Sequence, residues 1–203
     1  MGGHSSNIEK KDRMRIFDNN VLEFFTRCHF SVPFILFVPV TLFSLFQSFM
    51  EGYGIALIVI TFLLAIISWT LFEYFAHAFL LHIGGKILGN KNFLQKSHNR
   101  HHDYPMDKSR VVLSPIVSVP GAVLFFLLFY FTMGAQVGYC FFAGFVFGYL
   151  IYDFVHYTVH HKKFNSVLFN KLKRHHLVHH YKFPDKNFGL SVVFWDKVFK
   201  TIV

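Results

Sequence analysis

Three long uncharged stretches organise this chain. No charged residue occurs from Cys28 to Met50, and none from Gly52 to Phe72. Each stretch is long enough to cross the hydrocarbon core of a bilayer as a helix, which takes about 20 apolar residues. The third, Val111 to Tyr152, runs 42 residues. As one straight helix it would measure about 63 Å, roughly twice the hydrocarbon thickness. It must therefore fold back, and Gly134-Ala135-Gln136-Val137-Gly138 supplies the bend. The pattern predicts four spans, near 28–50, 53–72, 113–133 and 137–152. Pro33 and Pro39 kink the first, which membrane helices tolerate, and Glu51-Gly52-Tyr53-Gly54 makes a tight turn into the second. Gly144 and Gly148, four apart, mark close helix packing rather than chemistry.

The polar remainder falls into three parts. Residues 1–15 are polar and basic. Met1-Gly2-Gly3-His4-Ser5-Ser6 fits the loose N-myristoylation pattern, and an ordinary flexible start reads as well; no secretory signal is visible. Ile16 to Phe30 mixes apolar residues with Asp18, Glu23 and Arg27, as a helix lying on the membrane surface would, or as a helical lead into the first span. Residues 73–110 and 153–203 form a polar cap beside the spans. The prediction is one domain, 1–203, of all-α class: an integral membrane protein with 1–27 as its interfacial lead.

Composition agrees with a membrane class, with 53% hydrophobic and 15% charged residues. The 29 phenylalanines serve aromatic packing and lipid contact, and lining a lipid tunnel is another use. Charge sets the orientation. All 20 Lys and Arg lie before residue 28, between 86 and 110, or from 162 onward, and the two short turns carry none. By the positive-inside rule both termini and the central segment are cytosolic. The net charge of +9 reads as membrane anchoring or as a docking face for an acidic electron donor, with no nucleic-acid partner implied.

Of 14 histidines, 12 lie in four clusters. These are His77 with His82; His98, His101 and His102; His156, His160 and His161; and His175, His176, His179 and His180. All four fall on the cytosolic side. Residues three and four apart share a helix face, so His98, His101 and His102 can aim at one point, as can His176, His179 and His180, and His156 with His160. His77 and His82, five apart, point about 140° away from each other on an α-helix and need a kink or two targets. Neutral imidazole is a strong ligand for iron, zinc and copper. One ion takes about four to six ligands, so ten or more histidines call for two ions. Spacing does not choose the element; an all-histidine shell suits iron or zinc. Glu73, four before His77, and Asp153, three before His156, stand where they could orient those rings. Cys28 and Cys140 sit in or beside apolar runs and take no part.

A histidine-bound metal pair beside a bilayer implies a lipid substrate. Metal with O2 can attack an unactivated C–H bond, which no side chain can do. Hydrolysis by metal-bound water would want an acidic general base, and no H-E-x2-H motif is present. A transporter would place its ligands within the spans, where only His29, near one end, is found.

Several runs carry a resemblance. They are Leu22-Glu23-Phe24-Phe25-Thr26-Arg27, Phe72-Glu73-Tyr74-Phe75-Ala76-His77 through His82, and His101-His102-Asp103-Tyr104-Pro105 through Arg110. Tyr152-Asp153-Phe154-Val155-His156 through His160, His175 through His180, and Phe188-Gly189 to Trp195-Asp196 complete the set. Together they resemble the fatty acid hydroxylase and sterol desaturase superfamily, most of all its fatty acid 2-hydroxylase branch. The resemblance implies four membrane helices under a cytosolic cap that holds a dimetal centre. It implies O2-dependent 2-hydroxylation of fatty acyl chains, often those of ceramides. By position the ligands would be His77, His82, His98, His101, His102, His156, His160, His176, His179 and His180, with His161 and His175 outside that set. The family is usually called diiron, although zinc can occupy such sites. Ala78 departs from the Arg often found after the first histidine. No cytochrome b5 domain precedes the spans, so electrons are expected from a separate cytochrome b5-like or ferredoxin-like protein. The membrane would be the endoplasmic reticulum in a eukaryote or the inner membrane in a bacterium. Sterol or carotenoid hydroxylation or desaturation within the superfamily, and a non-catalytic metal-binding membrane protein, are the alternatives.

Overall fold

The computed structural model describes residues 15–83 and 93–203. The myristoylation pattern at 1–6 and the start of the central polar segment lie outside them. The described residues are helical, with no strand among them. In order they form α1 (Asn20–Phe25), α2 (Ser31–Met50), α3 (Ile55–Phe75) and a π-helical segment (Ala76–Ile83). Then follow α4 (Phe93–Asp103), α5 (Pro115–His161), α6 (Val167–Tyr181) and α7 (Phe194–Val198). Among the described residues, three helices are long and apolar enough to cross a membrane: Ser31–Met50, Ile55–Ile83 and Pro115–His161.

These helices bury an inverted stripe. On α2 the buried positions are Pro33, Phe37, Thr41, Ser44 and Ser48, three or four apart. On α3 they are Thr61, Ala65, Trp69 and then Glu73 and Tyr74. The opposite faces expose large apolar side chains such as Ile35, Leu42, Ile55 and Ile60. A helix in water does the reverse. Here small and hydroxyl-bearing residues permit close packing, while Leu, Ile and Phe face outward as they would toward lipid.

Both α2 and α3 pack on α5, which does not run straight. At Gly134 φ is 78° and ψ is 168°, a conformation that glycine adopts without steric cost. Rings on either side of it then meet: Phe125 with Phe145 at 4.8 Å, Phe126 with Phe142 at 5.2 Å, and Phe129 with Phe141 at 4.8 Å. Each pair brackets Gly134 nearly symmetrically, so the two arms are antiparallel. Ser48 Oγ donates to the Gln136 carbonyl at 2.6 Å and fixes this turn against the end of α2. On the second arm, Gly144 and Gly148 accept α3. A Cβ at Gly144 would collide with the Phe62 carbonyl and Ala65, and one at Gly148 would lie 2.6 Å from Trp69 Cβ. The aromatic core of Phe37, Trp69, Phe142, Phe145 and Tyr149 sits between these helices.

The lead into the first span differs from the expected helix over Ile16–Phe30: only Asn20–Phe25 is helical. Asn19 starts it by accepting from Val21 N and Leu22 N at 2.9 and 3.2 Å. Glu23 then shapes the rest. Its carboxylate turns inward to a buried ion pair with Arg110, and Ile16 N and Phe17 N donate to it at 2.9 and 3.3 Å. The side chain of Arg110 is 1% exposed and also pairs with Asp107 at 3.0 Å. Cys28 N donates to the Ser109 carbonyl at 2.7 Å, which pulls the chain out of helix and into register with the segment after α4. Val21, Leu22, Phe24 and Phe25 are left exposed.

Candidate metal centre

The π-helical segment resolves the five-residue spacing of His77 and His82. Hydrogen bonding from residue i to i+5 places residues five apart one above the other, and the two Nε2 atoms come within 3.3 Å. Gln95 Nε2 donates to the Leu80 carbonyl at 3.1 Å and so docks α4 on this segment. The second arm of α5 continues beyond the apolar core and carries His156 and His160 to the same end. Ser166 accepts from Phe169 N at 3.4 Å at the start of α6, which brings in the last four histidines.

The rings gather into two groups of five. One comprises His77, His82, His98, His102 and His179; the other comprises His101, His156, His160, His176 and His180. Within each group one nitrogen per ring lies within 4.8 Å of all the others. The histidines of α4 therefore do not converge on one point: His98 and His102 serve the first group and His101 the second. On α6, His179 serves the first and His176 and His180 the second. The groups touch where the rings of His102 and His180 stack at 4.1 Å.

The donor set fits two cations. His77 Nδ1 donates to the Phe188 carbonyl at 2.6 Å and His179 Nδ1 to the Lys186 carbonyl at 2.8 Å. A neutral imidazole that donates from Nδ1 presents a bare lone pair at Nε2. Yet His77 Nε2 faces His82 Nε2 at 3.3 Å, and His179 Nε2 faces His102 Nε2 at 3.2 Å. The other Nε2 pairs lie at 2.9 to 3.1 Å. Ligands about 2.0–2.1 Å from a shared ion sit about 3 Å apart along the edges of its coordination shell. Burial keeps the cap imidazoles neutral, as ligation requires. It is the first cause, with the neighbouring histidines, that holds His98, His101, His176 and His180 well below the ordinary value. His102 is lowered to about 2 and His179 to about 4.

The remaining sequence candidates fall around this core. Neither nitrogen of His161 has a hydrogen-bond partner among the described residues, and its ring packs on Tyr157 at 4.8 Å. His175 turns away from both groups; its Nε2 donates to Asp196 at 2.9 Å. Glu73 does not reach His77 directly. It accepts from Leu190 N and Ser191 N at 2.8 Å, and from Ser191 Oγ. Asp153 is fully buried beneath His156, and neither of its oxygens has a hydrogen-bond partner among the described residues.

Asp196 was not among the sequence candidates. It accepts from Phe188 N, Gly189 N, His175 and Thr201 Oγ1. Burial alone would raise its pKa, but these hydrogen bonds hold the carboxyl below its ordinary value. Its sequence signal is slight: it is one of two acids in a tail with nine Lys and Arg.

An apolar cavity of about 470 Å3 lies against this centre. Phe37, Trp69, Phe125 and Phe145 line its depth, and Tyr152 and His77 stand at the histidine end. A smaller space of about 40 Å3 shares Leu81, Leu94 and Tyr152 with it and reaches His98, His101 and His156. Between them the two spaces meet members of both groups.

Residues 62–201 match the family model described as fatty acid hydroxylase. The chain belongs to the fatty acid hydroxylase family. It is 31% identical over 93% of its length to the dihydroceramide fatty acyl 2-hydroxylase FAH2 of Arabidopsis thaliana, and it spans 79% of that protein. Similarity to the fatty acid 2-hydroxylase of Rattus norvegicus is 31% over 94% of this chain, which covers 57% of the rat protein. A solved structure of full-length scs7p, in which only the hydroxylase domain is visible, superposes with a TM-score of 0.82 at 33% identity. That match covers 92% of this chain and 71% of the other. The family resemblance drawn from the histidine-bearing runs therefore holds.

Proposed function

We propose that this protein hydroxylates C2 of fatty acyl chains, free or carried on a ceramide, at a centre of two metal ions. The observation that carries the reading is the apolar cavity that reaches His77, adjoined by the smaller space that reaches His98, His101 and His156. The relatives bearing 2-hydroxylase names support it. The ligands are His77, His82, His98, His102 and His179 for one ion, and His101, His156, His160, His176 and His180 for the other. Iron is the metal of the active form, and zinc is an alternative occupant. When bound, the pair supplies the activation of O2 that lets an unactivated C–H bond be attacked.

The chain's own residues do the rest. The cavity walls take in the acyl chain and exclude water. Moving a methylene from bilayer to cavity changes its surroundings little, since lipid tails are as apolar as the wall. Selection among chains therefore rests on shape: how far the tail runs past Phe37 and Trp69 decides which carbon stands beside the histidines. The balance is one O2, two electrons and two protons consumed for each hydroxyl formed and each water released. Electrons come from a separate cytochrome b5-like or ferredoxin-like donor. Lys162, Lys163, Lys171 and Arg174, exposed around the start of α6, suit an acidic partner. In this reading the arms of α5 count as two spans, so four cross the bilayer. Both termini and the histidine cap face the cytosol, at the endoplasmic reticulum of a eukaryote or the inner membrane of a bacterium.

The test is mass spectrometry of lipids from a host expressing the intact chain beside one expressing His176→Ala. One added oxygen at C2 of acyl chains, present only with the intact chain, is expected. Oxygen gained on a sterol or carotenoid instead would overturn the substrate, and an unchanged product with His176→Ala would overturn the site.

A further inference from the structure

The two histidine groups are alike in chemistry and unlike in support. In the first, the outer nitrogens of His77 and His179 are held by the carbonyls of Phe188 and Lys186. Both carbonyls belong to one short segment, 186–191, and two buried carboxylates hold that segment. Asp196 accepts Phe188 N and Gly189 N, each at 2.8 Å, and Glu73 accepts Leu190 N and Ser191 N. Asp196 is held in turn by His175 at 2.9 Å and by Thr201 Oγ1 at 2.7 Å. Val203 closes the arrangement, as its N donates to Asn187 Oδ1 at 2.9 Å.

Four of the five rings in the second group lack such bracing among the described residues. The Nδ1 atoms of His101, His156, His176 and His180 are buried and, among the described residues, meet no hydrogen-bond partner. Two effects then run in the same direction. A ligand imidazole that donates its outer N–H is fixed in tautomer and orientation and becomes more basic, and loss of such a partner typically costs about 10- to 100-fold in metal affinity. A buried N–H without a partner also carries its full desolvation cost.

We infer that the two metal positions are unequal. The ion held by His77, His82, His98, His102 and His179 binds tightly, the ion held by His101, His156, His160, His176 and His180 binds more weakly and exchanges, and Glu73 and Asp196 are the positioning residues that create the difference. His175, outside both groups, acts through Asp196. The inference rests on the ten-histidine ligand reading given above.

The experiment is equilibrium dialysis of the detergent-solubilised full chain against a chelator-buffered series of free Zn2+, with bound metal measured by elemental analysis. Saturation at two ions per chain in two steps, separated by about tenfold or more in free Zn2+, is expected. His176→Ala should keep only the tighter step, and His77→Ala only the weaker. Asp196→Asn and, separately, Glu73→Gln should move the tighter step toward the weaker one and leave the weaker in place. Two ions taken up in a single step would overturn the inequality, as would a His176→Ala protein that keeps only the weaker step. Saturation below two ions, or binding that neither histidine substitution changes, would instead overturn the ligand reading itself.

Discussion

A buried imidazole that stays neutral stores a pH dependence. His98, His101, His102, His176, His179 and His180 all have pKa values lowered by burial first and then by neighbouring histidines. In the unfolded chain each takes a proton near its ordinary value of about 6.5. Below that pH the unfolded state binds more protons than the folded one, so stability falls as pH falls. The window for His179 runs from about 6.5 down to about 4, and that of His102 reaches about 2. Each such histidine removes up to about 1.4 kcal/mol per pH unit. The melting temperature of the metal-free protein in detergent should therefore drop steeply between pH 7.5 and 5, and a flat profile would contradict the buried cluster. Arg110 poses a different case, since its guanidinium is buried against Glu23 and Asp107. Removing one partner of a buried pair leaves a charge uncompensated and costs about 3–5 kcal/mol. Arg110→Ala should lose about that much in denaturant unfolding, whereas a loss below about 1 kcal/mol would mean the cluster is solvated like a surface pair.

At the scale of elements, some of the architecture is legible in the sequence and some is not. The length of Val111–Tyr152 alone demands a reversal, and Gly134 is where the backbone makes it. The spacing of the histidines on α4 and α6 puts them on shared faces, but it does not say that neighbours on one face join different histidine groups. That division arises because α4 and α6 lie between the π-helical segment on one side and the end of α5 on the other, which is a tertiary fact. The five-residue step from His77 to His82 is awkward for an α-helix, and the π-helix that absorbs it leaves no separate mark in composition. The role of Asp196 is hidden for another reason: its partners include backbone N–H groups of Phe188 and Gly189, which any residue but proline supplies. Gly144 gives a sharp test of the α3–α5 crossing. An added methyl would meet the Phe62 carbonyl and Ala65, and overpacking of this kind costs about 1–3 kcal/mol. Gly144→Ala should lower the melting temperature, while Gly121→Ala, which has open space at its Cβ, should not. Equal effects would contradict the close approach.

For the whole molecule, apolar helices carry a histidine-rich cap, and the cavity joins the two. In the proposed reading the spans bring an acyl chain to the cap without passing it through water, and the cap supplies ligands that stay unprotonated. A chain with 53% hydrophobic residues keeps a specific core because glycines and hydroxyls let the helices approach around a few buried aromatics, while many other large apolar side chains face outward. The central claim is that O2 delivers an oxygen atom to C2 of an acyl chain held in that cavity. The most direct test uses the purified, iron-loaded chain with a ceramide, a reduced electron donor and 18O2. The account predicts one 18O at C2 of the acyl chain, with none incorporated from 18O-labelled water under ordinary O2. Label drawn from water, or placed on any carbon other than C2, would contradict it.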